Sequence, residues 1–365
     1  MRARALKAWA KQTPGIHCAI HQTLENTHPL YNFGVQLYNF IQKKLPLAHH
    51  LYFNYLELIP HFENPGQIHG REKFQEVLLE HCPDVVLSTH AHLNHGFFQI
   101  AKDTFPRKPP VTVTYCGELH GNYGFSRRWV NPKADHFLGA VPETCRAAHH
   151  LGMPPARNHC VGFLLRPHFF QKPLVGNERE KYLQSYGLNP DKTTLILGTG
   201  ANSANNHLPL IKALQQSDLE NLQIVALCGK SGELHQTLHD YSQQHPASKI
   251  LPLPLLDNPA PLFQSADALL CRPGTGLTSE AILSCIPILH NTLGGTMPQE
   301  AITLAYCRKH QISHQIKTPS RLPQILQSPT QLKQILQNLQ KVRPDTTPSD
   351  ILHKLKTWHL KRLRA

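Results

Sequence analysis

Residues 271–287 combine a strand end, a tight turn and a helix start, a combination suited to holding phosphate. In the sequence CRPGTGLTSEAILSCIP, Pro273 and Gly274 form the turn, and the predicted helix carries Ser279 and Glu280 in its first turn. A helix N-terminus offers backbone N–H groups and the positive end of the helix dipole, and both attract phosphate oxygens. The Glu280 carboxylate can accept hydrogen bonds from the paired hydroxyls of a ribose. Taken alone, the stretch is also typical of an ordinary strand-turn-helix.

A second cluster follows one strand later and suits the hydroxyls of a sugar. Residues 293–300, LGGTMPQE, form a glycine-rich turn that ends in Gln299 and Glu300. An amide and a carboxylate side by side can donate and accept hydrogen bonds with neighbouring hydroxyls. The two clusters in this order are more specific than either one alone.

Three titratable side chains follow two predicted strands in the N-terminal half. His90 ends the apolar run 83–90, while Glu118 and His120 follow the run 111–115. Because ligands of open α/β sheets bind beyond the carboxyl ends of the strands, all three are predicted at the ligand-binding edge. His90 or Glu118 is the predicted catalytic base, since histidine has an ordinary pKa near 6.5 and a carboxylate can also accept a proton. Ordinary burial or hydrogen bonding is the alternative role for each.

Composition indicates a globular chain with an anionic partner. The 365 residues exceed one ordinary core, and 40% of them are hydrophobic against 17% charged. The formal net charge of +13 favours acidic lipid headgroups, phosphorylated substrates or nucleic acid. Lysines and arginines are mostly dispersed, without an arginine–aromatic ladder or a helix-turn-helix pattern, so no nucleic-acid partner is expected.

Cysteine and histidine usage predicts neither a disulfide framework nor a metal site. The nine cysteines show no C-x-x-C spacing, and the 26 histidines have no companion pattern of cysteine or aspartate. No signal peptide is recognised at the start, and no apolar run approaches the roughly 20 residues that span a bilayer. The sequence therefore predicts a reducing, cytoplasmic location and no metal.

The stretch 30–59 has aromatic and apolar residues at helical spacing beside lysines. This pattern indicates a helix lying on an anionic membrane, where it would also meet the acceptor. A core-facing helix whose aromatic residues pack inside is the alternative. The residues that define the predicted membrane or acceptor surface are Tyr31, Phe33, Tyr38, Phe40, Lys43 and Lys44.

Strand and helix patterns alternate along the chain, which predicts parallel sheets. We predict one domain over 1–170, a second over 171–345, and a basic helix over 346–365 that packs back on the first domain. A doubly wound domain ordinarily begins with a strand and a glycine-rich turn. This sequence begins inside a helix, so we interpret the first strand as missing because the start codon is assigned too late.

The order of these motifs resembles the GT-B glycosyltransferases that use nucleotide sugars. The most similar branch contains monogalactosyldiacylglycerol synthases and processive diacylglycerol glucosyltransferases, and the peptidoglycan lipid-intermediate N-acetylglucosaminyl transferase is more distant. The resemblance runs from about residue 3 to about residue 310. Its motifs lie at 83–90, 127–143, 162–167, the Gly198 loop, 228–230, 257–258, 272–280 and 299–300.

The resemblance implies two Rossmann-like doubly wound domains facing a central cleft, with the acceptor in the first domain and a UDP-sugar in the second. The UDP-sugar is a substrate, and no cofactor is implied. Arg166 and the helix start would contact the diphosphate, Glu280 the ribose, and two leucines the uracil. The implied donor-binding residues are Arg166, Gly198, Gly200, Leu255, Leu256, Gly274, Thr275, Thr278, Ser279, Glu280, Gln299 and Glu300.

The implied activity is inverting transfer of a hexose to a lipid or lipid-linked acceptor at the inner face of the membrane. The sequence departs from the family pattern in lacking the N-terminal glycine loop with its histidine, in carrying Glu118 where an aspartate is expected near Cys116, and in carrying Thr303 for an asparagine. Two alternatives stay open. One is a UDP-sugar epimerase on the same fold, disfavoured by the scarcity of acidic residues; the other is a non-catalytic binder of a sugar nucleotide or nucleic acid.

Overall fold

The chain folds into two compact units. The structure is a computed structural model that describes residues 1–44, 48–58, 65–198 and 207–364. Unit 1 consists of Met1–Pro167, Met297–Ile302 and Pro344–Ala365, and unit 2 of His168–Thr296 and Thr303–Arg343. The short segment that starts at Met297 therefore groups with the N-terminal part of the chain.

A parallel sheet in the order β1-β2-β3-β4 forms the centre of unit 1. Its strands are β1 (Val85–Ser88), β2 (Val111–Cys116), β3 (His136–Gly139) and β4 (Asn158–Cys160). Strand β2 is buried along its whole length, as its apolar sequence predicts. Strand β4 ends at Cys160, and the backbone turns at Gly162, whose φ is 77°.

Helices pack against this sheet and fill the core of unit 1. The N-terminal helices are α1 (Arg2–Ala10), α2 (Thr23–Thr27), α3 (Pro29–Lys44), α4 (Ala48–Leu58), α5 (Arg71–His81), α6 (Gly96–Thr104) and α7 (Pro142–His150). The core between sheet and helices is aromatic and aliphatic, with Phe74, Phe97 and Ile100 in one cluster and Phe137 and Met153 in another. This packing fixes the strand ends that carry the titratable residues.

A parallel six-stranded sheet in the order β10-β9-β8-β5-β6-β7 forms the centre of unit 2. Its strands are β5 (Thr193–Gly198), β6 (Leu222–Leu227), β7 (Lys249–Leu253), β8 (Ala268–Cys271), β9 (Ile288–Asn291) and β10 (Ser313–Ile316). After β5, the chain adds β6 and β7 on one side of that strand, and then β8, β9 and β10 on its other side. The strand order therefore reverses between β5 and β8, which is the doubly wound arrangement.

The helices of the second half complete both units. They are α8 (Asn177–Ser185), α9 (His207–Gln215), α10 (Gly232–Gln244), α11 (Ala260–Ser265), α12 (Thr275–Ser284), α13 (Pro298–His310), α14 (Arg321–Leu326), α15 (Pro329–Val342) and α16 (Pro348–Arg364). Helix α16 belongs to unit 1, where Arg362 pairs with Asp135 at 2.6 Å. The predicted parallel sheets are confirmed in both units.

Candidate functional site

The reversal of strand order in unit 2 brings two sequence motifs to one place. Gly198 ends β5 and is paired in register with Cys271, which ends β8. Gly198 and the turn into α12 therefore lie side by side at the carboxyl edge of the sheet. This is the position at which open α/β sheets bind their ligands. Gly200 lies outside the described residues.

Helix α12 begins immediately after the turn. Gly274 is the N-cap residue, and its N–H donates to the Arg272 carbonyl at 2.7 Å. Because the first helical residue is Thr275, Ser279 and Glu280 lie in the second turn, and their prediction in the first turn was wrong. Only Arg272, Pro273 and Gly274 separate the end of β8 from the first residue of α12. The N–H groups nearest the helix end belong to residues 275–277, and an anion there meets the positive end of the dipole.

The hydroxyls of Thr278 and Ser279 hold the start of α12 in place. Both residues are fully buried. Thr278 Oγ1 lies 3.2 Å from His290 Nε2, His290 Nδ1 lies 3.0 Å from Ser313 Oγ, and Ser279 Oγ donates to the Thr275 carbonyl at 2.5 Å. Burial, and to a smaller extent the charge of Arg272, lower the pKa of His290 to about 3. The imidazole is therefore neutral and serves as a fixed hydrogen-bonding partner.

Arg272 ties the two glycine-containing turns together, a role that sequence reasoning missed. Its guanidinium donates to the Leu293 carbonyl at 3.1 Å and to the Gly295 carbonyl at 2.8 Å. The backbone there needs glycine, because Gly294 and Gly295 have φ of 74° and 92°. The sequence signal that could have revealed this role is the position of an arginine directly after the last residue of β8. The guanidinium also brings positive charge to the edge where α12 begins.

Glu280 and the two leucines also lie in unit 2. Glu280 is only 5% exposed. Leu255 and Leu256 follow β7 in the loop that leads to α11, and Leu255 is exposed. Their implied roles at ribose and uracil stay predictions.

The remaining implied donor residues group with unit 1. Gln299 and Glu300 open α13, where Glu300 Oε2 accepts from the Met297 N–H at 2.9 Å. Glu300 thus contributes to the start of the helix, as a capping carboxylate does. The Gln299 Oε1 atom is buried and has no hydrogen-bonding partner within the described parts of the chain. Arg166 is partly exposed and follows Leu165, whose carbonyl accepts from Trp9 Nε1 at 2.8 Å.

Glu118 lies beyond the carboxyl end of β2 in unit 1. Its Oε2 atom is buried and unpaired among the described residues, while its backbone carbonyl accepts from the Thr144 hydroxyl. Burial raises the pKa of Glu118 to about 7, and the nearby positive charge of Arg2 opposes this shift. Arg2 is a second residue that the sequence analysis missed, and it also donates to the Leu164 carbonyl at 3.3 Å. A carboxyl group with this pKa exchanges protons at neutral pH.

His90 and His120 are held by local hydrogen bonds. His90 Nδ1 accepts from the His92 N–H at 3.3 Å, and His120 Nδ1 accepts from the Gly121 N–H at 3.0 Å. Gly121 fits where no other residue can, because a Cβ there would lie 2.3 Å from the Ala147 Cβ. Of the two predicted base residues, His90 and Glu118, it is Glu118 whose pKa is raised by burial to about 7, close to neutral pH.

The helices α3 and α4 expose apolar side chains at helical spacing. On α3, Phe33 is 63% and Phe40 55% exposed, and on α4 Leu58 is 80% exposed. Tyr31 points the other way and packs near Phe97, with ring centroids 6.3 Å apart. The side chains of Tyr38, Lys43 and Lys44 lie outside those described. The other exposed apolar residues on the two helices are Leu30, Leu37, Leu51 and Tyr55.

Two properties of the described residues bear on the type of site. Among these residues no three His, Cys, Asp or Glu side chains converge in a way that could hold a metal ion. Within the same ranges, no helix combines the length and the apolar character needed to cross a bilayer.

Comparison with known proteins supports the resemblance read from the sequence. No family model matches the chain. The processive diacylglycerol β-glucosyltransferase of Bacillus licheniformis is 23% identical over 236 residues, which cover 64% of this chain and 57% of that protein. The chain spans about half the length of the curated relatives it matches. The predicted likeness to this group of enzymes is confirmed.

Solved structures assign the fold. MurG of Acinetobacter baumannii matches with a TM-score of 0.55 and 15% identity over 79% of this chain and 76% of that one. HepE of Anabaena, in complex with UDP and glucose, matches with a TM-score of 0.52 and 12% identity over 82% of this chain and 84% of that one. The predicted GT-B class, with two parallel α/β units, is confirmed.

Proposed function

We propose that this chain transfers a hexose from a UDP-sugar to a lipid or lipid-linked acceptor, with inversion at the sugar carbon. The observation that carries the proposal is the placement of Gly198 and the start of α12 where the strand order of unit 2 reverses. Doubly wound sheets bind nucleotides at this point. The names of the relatives, diacylglycerol glucosyltransferases, support the reaction and the acceptor class.

The donor site follows from the geometry of unit 2. The diphosphate lies at the first turn of α12, where the N–H groups of 275–277 and the charge of Arg272 face it. Glu280 accepts hydrogen bonds from the ribose hydroxyls, and Leu255 and Leu256 line the uracil. Arg166, Gln299 and Glu300, the other donor-binding residues that the resemblance implies, belong to unit 1. The Gln299 Oε1, which is buried and has no hydrogen-bonding partner among the described residues, supports a role as acceptor for a sugar hydroxyl.

Glu118 is the proposed base. The acceptor hydroxyl oxygen forms a bond to the anomeric carbon, the bond from that carbon to the UDP oxygen breaks, and the hydroxyl proton passes to the carboxylate. A pKa of about 7 leaves about half of the carboxyl groups ionised at neutral pH. The dipole of α12 stabilises the charge that develops on the departing UDP. His90 is the second candidate base, and His120 lies on the same loop as Glu118.

The acceptor reaches the enzyme from a membrane surface. Helices α3 and α4 present apolar side chains outward, among them Phe33, Phe40 and Leu51. Exposed apolar faces on helices favour burial at the boundary of headgroups and acyl chains, and the net charge of +13 favours an anionic leaflet. We therefore place the protein peripherally on the inner face of the cytoplasmic membrane.

The test is transfer from UDP-glucose, UDP-galactose and UDP-N-acetylglucosamine to diacylglycerol in anionic vesicles. Glu280→Ala and Arg166→Ala are each expected to reduce turnover by about 10- to 150-fold, since each removes a charged hydrogen bond of about 1.5–3 kcal/mol. Glu233→Ala, an exposed carboxylate in the first turn of α10, is the matched control. Unchanged rates in both variants would count against the proposal.

The same assay separates the alternatives. A UDP-sugar epimerase would yield an epimerised nucleotide sugar and no glycolipid. A non-catalytic binder would bind the nucleotide sugar and turn over none of it.

A further inference from the structure

Three cysteines of unit 1 meet around Gly139. The strand register pairs Cys116 with Gly139 and Gly139 with Cys160, so the three residues form a row across β2, β3 and β4. Residues paired in register point to the same face of a sheet. Cys145, on α7, occupies the space above the glycine, because a Cβ on Gly139 would lie only 2.5 Å from its Sγ. The Cys145 thiol therefore lies over the middle of the row, beside Cys160.

The two thiols are neighbours, because the Cys145 Sγ lies over Gly139 and Gly139 is paired in register with Cys160. Their interaction raises the pKa of Cys145 and lowers that of Cys160, as a hydrogen bond from the Cys145 thiol to the Cys160 sulfur would. Cys160 is exposed at the end of β4, whereas Cys145 is half-buried. We propose that Cys145 and Cys160 form a redox-active thiol pair that reacts with a hydroperoxide and closes to a disulfide between α7 and β4. This inference is independent of the glycosyltransferase proposal.

The two cysteines have different parts in the reaction. The Cys145 hydrogen bond, followed by that of the Gly162 N–H, lowers the pKa of Cys160 to about 7. The same hydrogen bond and burial raise the pKa of Cys145. Cys160 is thus the thiolate that attacks, because it is both ionised and exposed, and Cys145 is the resolving thiol.

The chemistry needs one hydroperoxide molecule. The Cys160 thiolate attacks one peroxide oxygen, forming an S–O bond as the O–O bond breaks. Cys160 becomes a sulfenic acid, and the other oxygen leaves as water (or an alcohol) after protonation. The Cys145 sulfur then attacks the sulfenic sulfur, the S–O bond breaks, and a second water is released as the disulfide forms. Two thiols are oxidised and one peroxide is reduced. A reducing thiol restores the pair by exchange.

The disulfide would form next to the proposed base. Thr144, the neighbour of Cys145, holds the carbonyl of Glu118 through its hydroxyl. The bond would fasten the first turn of α7 to β4.

Alkylation and peptide mapping of the full-length protein test the pair. At pH 7 a thiol with a pKa of 7 is about half ionised, whereas an ordinary thiol is about 3% ionised. The thiolate with the lower pKa is about fivefold less nucleophilic, which offsets part of the gain from the larger ionised fraction. Iodoacetamide should therefore modify Cys160 about threefold more slowly in Cys145→Ala than in the wild type. Cys145→Ser retains a donor hydroxyl and should keep the wild-type rate. Cys82, which is also exposed and whose Sγ lies 3.1 Å from the Leu79 carbonyl, is the internal reference.

Hydrogen peroxide then separates the two roles. The wild type should yield a peptide that links Cys145 to Cys160, whereas Cys145→Ser should leave a sulfenic acid on Cys160 that dimedone traps. The proposal is overturned if the linked peptide is absent when Cys160 and Cys82 are oxidised at equal rates, or if Cys145 links to Cys116 instead. The wild-type mapping decides the matter even if a variant does not fold.

Discussion

The two sheets end in carboxyl edges of opposite character. In unit 2 the edge lies at a reversal of strand order, and Thr278, Ser279 and His290 are bound to one another or to the backbone. In unit 1 the described strands follow one another without reversal, and the edge carries Glu118 with a buried, unpaired oxygen. The side chains of the first edge are fixed by hydrogen bonds, as the proposed nucleotide site requires. The second keeps a carboxyl group in an unfavourable environment, as is typical of a group that transfers protons.

The largest effect expected is on turnover. Glu118→Gln should lower kcat by about 10²- to 10⁴-fold while UDP binding stays unchanged, because the amide cannot accept the proton. Steady-state kinetics and calorimetric titration of UDP measure the two quantities. Glu76→Gln, an exposed carboxylate on α5, should leave both intact. A kcat within twofold of the wild type would break the contrast between the two edges.

The second prediction concerns stability against pH. The pKa of Glu118 rises from 4.5 to about 7 on folding, so the folded state binds this proton more tightly. The stabilising effect is full below pH 4.5 and is lost as the pH rises through 7. Between pH 5 and pH 8 the free energy of unfolding of Glu118→Gln should therefore gain about 2.5 kcal/mol relative to the wild type. Urea denaturation of the wild type and of Glu118→Gln at pH 5 and pH 8 measures this difference. If the free energy of unfolding changes equally with pH in both proteins, the raised pKa of Glu118 is contradicted.

A third prediction tests whether Arg272 holds the two turns together at the carboxyl edge of the unit 2 sheet. Arg272→Lys should lower the free energy of unfolding by about 2 kcal/mol, because one ammonium cannot span the carbonyls of Leu293 and Gly295. Arg321→Lys is the control, since its guanidinium makes an exposed contact with Gln324 at 2.8 Å and its loss should cost less than about 0.5 kcal/mol. Equal losses in both variants would show that Arg272 does not tie the turns.

The smallest effect is expected at the outer face of unit 1. The double variant Phe33→Ser and Phe40→Ser should bind anionic vesicles about tenfold more weakly, because exposed aromatic side chains would no longer enter the interface. Leu79→Ser with Leu151→Ser removes two exposed apolar residues elsewhere and should have no such effect. Sedimentation with vesicles measures both, and equal binding would remove α3 from the proposed membrane surface.

Local patterns predicted most of the fold. Apolar runs such as 193–197 and 222–227 mark strands because buried parallel strands are apolar throughout, and both appear at those positions. The ends of strands are not predicted by apolar runs where a turn residue sets them, as Gly162 does after β4.

The environment of the site residues could not be predicted in the same way. The pKa of Glu118 depends on burial and on Arg2, 116 positions earlier in the chain. The hydrogen bonds of Arg272 are made to backbone carbonyls more than 20 residues away in the sequence. Sequence motifs identified which residue types lie at strand ends, whereas contacts between distant segments determine which of these residues is reactive.

A crystal structure of the protein with UDP tests the central claim most directly. The diphosphate should lie within about 3 Å of the backbone N–H groups of residues 275–277, between the carboxyl ends of β5 and β8, with the ribose hydroxyls on Glu280. UDP bound away from the start of α12 would contradict the account.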